Sequence, residues 1–210
     1  MTVSPERLGR WLDGFAERHG AVSVHGAVYT AADGAVADVE VPFPPLRGDL
    51  LTHALAERRV GVLLARRGGH AAGIFAGDRL VASKVGSRHV QGRTAAGGWS
   101  QQRYARRRDG QAAVASHAAA DDAAGVLLGQ PIAALRIGGD RSSVEAVLAD
   151  RRLAPLAPLV TGVLLDVPDP RLRVLQAVRV RDVRIRVREP GDDQRDQTAP
   201  GTSRPAGPAD

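Results

Sequence analysis

The chain has 210 residues, a formal net charge of +6 and no cysteine. That length suits one well-packed domain with appendages, and the missing thiols exclude disulfides, thiol catalysis and thiolate zinc sites. Aromatic residues make up only 3% of the chain, so its core must be aliphatic.

Ser4-Pro5-Glu6 reads as a helix start, with a capping serine, proline in the first turn and an acid beside it. Leu8, Trp11, Leu12 and Phe15 follow as one apolar stripe that stops near Gly20. Residues 21–29 and 35–41 read as two strands of a hairpin across Asp33-Gly34. The prolines of VPFPPL end the second strand, and residues 50–59 suit a short helix. Three apolar runs, 60–65, 70–75 and 80–85, are close enough to form an antiparallel meander.

An alanine-rich helix is expected from about Ser100 to Leu128, and a buried strand over 132–137. A helix over 142–148 and a strand over 163–166 follow, then a helix from Asp169-Pro170 to about Val178. Val183, Ile185 and Val187 alternate with Arg184, Arg186 and Arg188, which suggests a half-buried edge strand with a basic face. From Glu189 to Asp210 no apolar anchor remains, so a disordered tail is expected after a domain spanning 1–188. The order predicts α/β architecture: a single mixed-sheet domain in three layers, with a long helix after a flexible glycine-rich loop.

That loop is the informative part. Arg79, Lys84, Arg88, Arg93, Arg103, Arg106, Arg107 and Arg108 lie in a stretch without an acid between Asp78 and Asp109. Lys84 is the chain's sole lysine, a composition that signals GC-rich coding, so arginine placement carries more weight than arginine number. Coding bias would spread arginines evenly and would not remove acids. A surface of one sign suits phosphate contacts. Gly97 and Gly98 permit close backbone approach, and Ser100 is placed to cap the next helix, whose first amides attract anions. Trp99 could stack on a base or plug a crevice beneath the loop. Gln101 and Gln102 are poor bases, but an amide can orient a water through its hydrogen bonds.

The stretch KVGSRHVQGRTAAGGWSQQRYARRRDGQA resembles the signature of actinobacterial Vms-like release factors, a family of peptidyl-tRNA hydrolases. The SPERL helix, the VPFPP turn and the last strand fit the same layout. The resemblance implies a fold like the middle domain of eukaryotic and archaeal peptide-release factors, which is related to ribonuclease H. It aligns Gly98-Trp99-Ser100-Gln101 with a Gly-x-x-Gln motif, a looser form of the Gly-Gly-Gln loop. Gln101 then becomes the matching glutamine, and Gln102 the weaker claimant.

The implied activity is hydrolysis of peptidyl-tRNA on stalled ribosomes, with Gly98, Ser100 and Gln101 at the reacting ester. Arg88, His89, Arg93, Trp99, Arg103, Arg106 and Arg107 would contact RNA. The implied partners are the large ribosomal subunit and peptidyl-tRNA, with a monomeric protein and no cofactor. The start MTVSPERLGRW has no apolar core of signal-peptide length and no run is long enough to cross a bilayer, so a cytoplasmic protein is expected. Cutting of tRNA near its 3′ CCA end and non-catalytic RNA binding are the rival functions. A metal nuclease is disfavoured, because the first strand has no carboxylate and the six histidines lack ligand spacing, so no metal is expected.

Overall fold

The computed structural model describes residues 1–87 and 100–191, with the backbone alone described at 100–109. Its strands fall into two sheets. The first has the order β1 (Thr2–Val3), β9 (Val183–Arg188), β4 (Val36–Val39), β3 (Val28–Ala31) and β2 (Val22–His25). The second has the order β7 (Arg79–Ser87), β6 (Gly69–Ala76), β5 (Arg59–Arg66) and β8 (Ala134–Gly139). The helices are α1 (Pro5–His19), α2 (Leu50–Leu55), α3 (Ser100–Leu127), α4 (Arg141–Leu148) and α5 (Leu172–Gln176).

The mixed α/β class holds, but the one sheet expected is divided in two. In α1 the stripe buries Leu8 and Phe15, and Trp11 stacks on Phe15 at 5.7 Å. Gly20 ends it with φ +85°, which glycine adopts without a Cβ clash. This helix covers the inner face of the first sheet, against Ala37, Val39, Val183 and Ile185.

The strand expected over 21–29 is itself a hairpin. It breaks at Gly26, where φ is +62°, and gives β2 and β3. The Asp33-Gly34 turn forms as expected: the Asp33 carboxylate accepts from the Ala35 amide at 2.9 Å. β9 is not an edge strand. It lies between β1 and β4, antiparallel to both, because the first residues of the chain return to pair with it.

The meander of β5, β6 and β7 is antiparallel as expected, and β8 adds parallel to β5. β5 is apolar on both sides because both faces of this sheet are covered. Leu63, Ala72, Ile74 and Leu135 pack under α3 and α4, while Val60, Val62, Leu64 and Phe75 pack with α5. This gives the three layers. Residues 163–166 make only an isolated parallel bridge, Gly138 with Leu165, and not a strand. The helix expected after Pro170 is short, and a 3-10 segment not anticipated from sequence runs from Arg151 to Leu159.

Arg181 joins the two sheet systems. Its guanidinium lies 3.1 Å from Glu6 on α1 and 3.1 Å from Asp78 in the β6–β7 turn. Beyond Gly191 the expected C-terminal tail lies outside the described residues.

Candidate nucleic-acid interface and its scaffold

β7 ends at Ser87 and α3 begins at Ser100, so these two elements are the stems of the intervening segment. Arg88, His89, Arg93, Gly98 and Trp99 lie outside the described residues. Ser100, Gln101, Arg103, Arg106 and Arg107 lie on the first turns of α3, where the backbone alone is described. Ser100, expected as the cap, is the first helical residue, a shift of one position.

The stems themselves are well defined. α3 has 28 residues and rises about 42 Å, at roughly 1.5 Å per residue. Its C-terminal half is anchored on the second sheet through Ala119, Ala120, Ala123 and Leu127. Alanines there let the helix axis lie close to the strands. β7 pairs with β6 along its length, and Ser87 is registered with Gly69 at the β5–β6 turn. The segment at 88–99 therefore leaves from the sheet end that carries Arg66 and Arg67.

One half-buried cluster ties both stems together. Asp122 of α3 accepts from His70 Nε2 of β6 at 2.9 Å and from Lys84 Nζ of β7 at 2.9 Å. His70 is 8% exposed in its side chain and Asp122 19%. Burial opposes the charge of Asp122, yet the hydrogen bonds from His70 and Lys84 outweigh it and hold its pKa below the usual carboxylate value. The ring of His70 lies against Gly86, where any Cβ would collide with it. Lys84, grouped by sequence with the basic stretch, is thus engaged by an acid of its own chain.

Beside the cluster is a cavity of about 380 Å³, lined by His70, Gly86, Ser87, Ala118, Asp121 and Asp122. Asp121 in turn takes Arg152 at 2.8 Å, and Arg152 also binds Asp150 at 2.7 Å. Those hydrogen bonds from Arg152 hold Asp150 far below the ordinary carboxylate range. The 3-10 segment is thereby fastened to the outer side of α3.

Sequence reading missed this cluster. His70, Lys84 and Asp122 carry no common motif, and the histidines looked scattered. The available signal was a glycine at position 86 in an otherwise β-forming run, which marks close approach by another group. Among the described residues, no group of three or more His, Cys, Asp or Glu is arranged to hold a metal ion. No helix among them is long and apolar enough to cross a membrane.

The family model for the actinobacterial and chloroflexi VLRF1 release factor matches residues 58–188, which spans both stems, the segment between them and β9. The chain belongs to this family. The match begins just before β5, so α1, α2 and β1–β4 precede it. No curated protein matches the chain. Among solved structures, the chain is similar to the archaeal translation termination factor aRF1, with 16% identity and a TM-score of 0.42. That similarity covers 72% of this chain and 50% of the archaeal factor, so the chain spans about half the length of that structure.

Proposed function

We propose that this VLRF1-family chain hydrolyses the ester of peptidyl-tRNA on ribosomes and so frees the nascent peptide. The observation that carries the reading is the family match across residues 58–188, which includes the glutamine motif and both of its stems. The acid-free arginine stretch supports a polyanionic partner.

In this reading Gly98-Trp99-Ser100-Gln101 is carried to the ester rather than the ester being taken into a pocket. Water attacks the peptidyl carbonyl carbon, and the bond to the terminal ribose oxygen breaks. That oxygen leaves with a proton, giving a free carboxylic acid and a tRNA with an intact 3′ end. Gln101 orients the water and, through an amide N–H, stabilises the developing oxyanion. Arg88, His89, Arg93, Trp99, Arg103, Arg106 and Arg107 hold the RNA. Backbone phosphates fix position without reading sequence. The His70–Asp122–Lys84 cluster supports this reading by holding both stems to one sheet end.

The experiment is incubation of the wild type and Gln101→Ala with large subunits that carry peptidyl-tRNA, followed by mapping of the tRNA 3′ end. Peptide release with intact CCA, lost in Gln101→Ala while binding persists, is the expected result. A shortened tRNA would replace ester hydrolysis with endonucleolytic cutting. Undiminished release by Gln101→Ala would remove Gln101 from the chemistry.

A further inference from the structure

A second site lies on the face of the second sheet that is turned away from α3. There a cavity of about 600 Å³ opens between that sheet, α5 and the start of β9. Its volume falls within the roughly 300–1,000 Å³ typical of small-molecule sites.

Three observations single it out. Arg136 enters the cavity from β8, and its Nε is buried without a hydrogen bond. No carboxylate among the described residues lies within ion-pair distance of it. Glu40 also lines the cavity, with a buried Oε2 that makes no hydrogen bond. Arg184 Nε forms an ion pair with it at 3.9 Å, too long for a hydrogen bond, and the Glu40 side chain is 34% exposed. At the rim, Phe43 has φ +56°, the one positive-φ non-glycine among the described residues. A bulky residue held there is strained, and such strain gathers at binding and catalytic sites. Buried polar atoms of folded proteins are ordinarily satisfied, so two unsatisfied atoms on charged side chains that line one cavity point to a ligand that engages those side chains.

The mixture of charges narrows the ligand. A polyphosphate would meet Glu40, Asp166 and Asp182 as well as the arginines. A wholly apolar ligand would offer no hydrogen-bonding group to either charged side chain. What fits is a planar body that presents acceptors to a guanidinium and, beside them, N–H donors to a carboxylate. Guanine has that pattern: O6 and N7 accept from arginine, while N1–H and the N2 amino group donate to one carboxylate. Adenine reverses it, with an N6 donor facing the arginine and the N1 acceptor facing the acid. Phe43, Val174 and Val178 supply apolar contact for the ring, and the exposed Arg173 stands at the edge for a phosphate.

We propose that this cavity binds a guanine nucleotide, with Arg136 and Glu40 reading the base and Arg173 holding the phosphate. The same unit could arrive as a free nucleotide or as an unpaired guanosine of an RNA strand. The site lies on the sheet face turned away from α3 and does not depend on the activity proposed for the glutamine motif.

The test is equilibrium binding to the full chain of GMP, AMP, and fluorescently labelled unstructured oligoribonucleotides with or without guanine. GMP or the guanine-containing strand should bind about tenfold or more tightly than its adenine counterpart. Binding by GMP alone identifies a free nucleotide, and binding by the strand alone an RNA residue. Glu40→Gln and Arg136→Gln should each weaken binding about tenfold or more. Ala177→Trp fills the mouth from an exposed position without removing a buried charge, and should abolish binding with an unchanged melting temperature. Failure of both guanine probes to bind, equal affinity for guanine and adenine, or wild-type affinity in Ala177→Trp would each overturn the assignment.

Discussion

Asp122 and His70 are 52 residues apart in sequence, yet their side chains meet at 2.9 Å beneath the stems of the glutamine segment. Lys84 completes the cluster from the third element. The bond therefore couples the long helix to two strands at the place where the chain departs toward its proposed target.

Asp122→Ala should lower stability by about 1–3 kcal/mol, because it strands a buried histidine donor. Lys84→Ala should cost less than about 1 kcal/mol, since its side chain is 63% exposed and water replaces the missing partner. Urea denaturation of the two variants measures the difference. If the cluster positions the glutamine segment, Asp122→Ala should also slow peptide release while leaving ribosome binding intact.

The pH dependence has a definite sign. The folded-state pKa of Asp122 is lowered, so across that window the unfolded state binds more protons. Its contribution is fully present above the unfolded carboxylate value of about 3.9 and is lost as pH falls through the lower folded value. Asp122→Asn should therefore lose stability relative to the wild type at pH 6, and the gap should close toward pH 3. Denaturant midpoints at the two pH values check this.

Gly86→Ala should destabilise the protein by about 1–3 kcal/mol, because the new methyl group would overlap the His70 ring. Adding His70→Ala should recover part of that loss. The two substitutions should then be clearly non-additive in a double-mutant cycle of thermal unfolding.

Arg181→Ala should cost about 0.5–1.5 kcal/mol, because its side chain, 12% exposed, loses its contacts to Glu6 and Asp78 while both exposed acids return to water. The substitution should loosen α1 from the family-matched region, detectable as faster amide exchange in α1 than in β5.

Charge reversal at Arg106 and Arg107 should weaken ribosome or tRNA binding uniformly. It should also flatten the salt dependence, by about 0.7–0.9 in log–log slope for each phosphate that is no longer neutralised. Gln101→Ala should leave that slope unchanged while reducing release by about 10²–10³-fold. Binding titrations at several salt concentrations, run beside release assays, separate the two roles.

Much of the architecture was legible in the residue pattern. The stripe of Leu8, Trp11, Leu12 and Phe15 specifies α1 because side chains three and four apart share a helix face. The apolar runs of β5, β6 and β7 and their short connections specify a meander for equally local reasons. The glutamine motif and its arginines were legible as a motif because their chemistry is contiguous in the chain.

Tertiary structure alone decided the rest. Alternating valine and arginine in β9 describes a strand with one buried side, but an edge and an interior strand share that pattern. The pairing with Thr2–Val3 and Val36–Val39 settled its place. Likewise Arg136 and Glu40 lie in separate runs, 132–137 and 35–41, and only the docking of the two sheets brought them to one cavity. Periodicity encodes which face of an element is buried. Which distant groups meet across that face depends on how whole elements dock, and no local window of sequence contains that information.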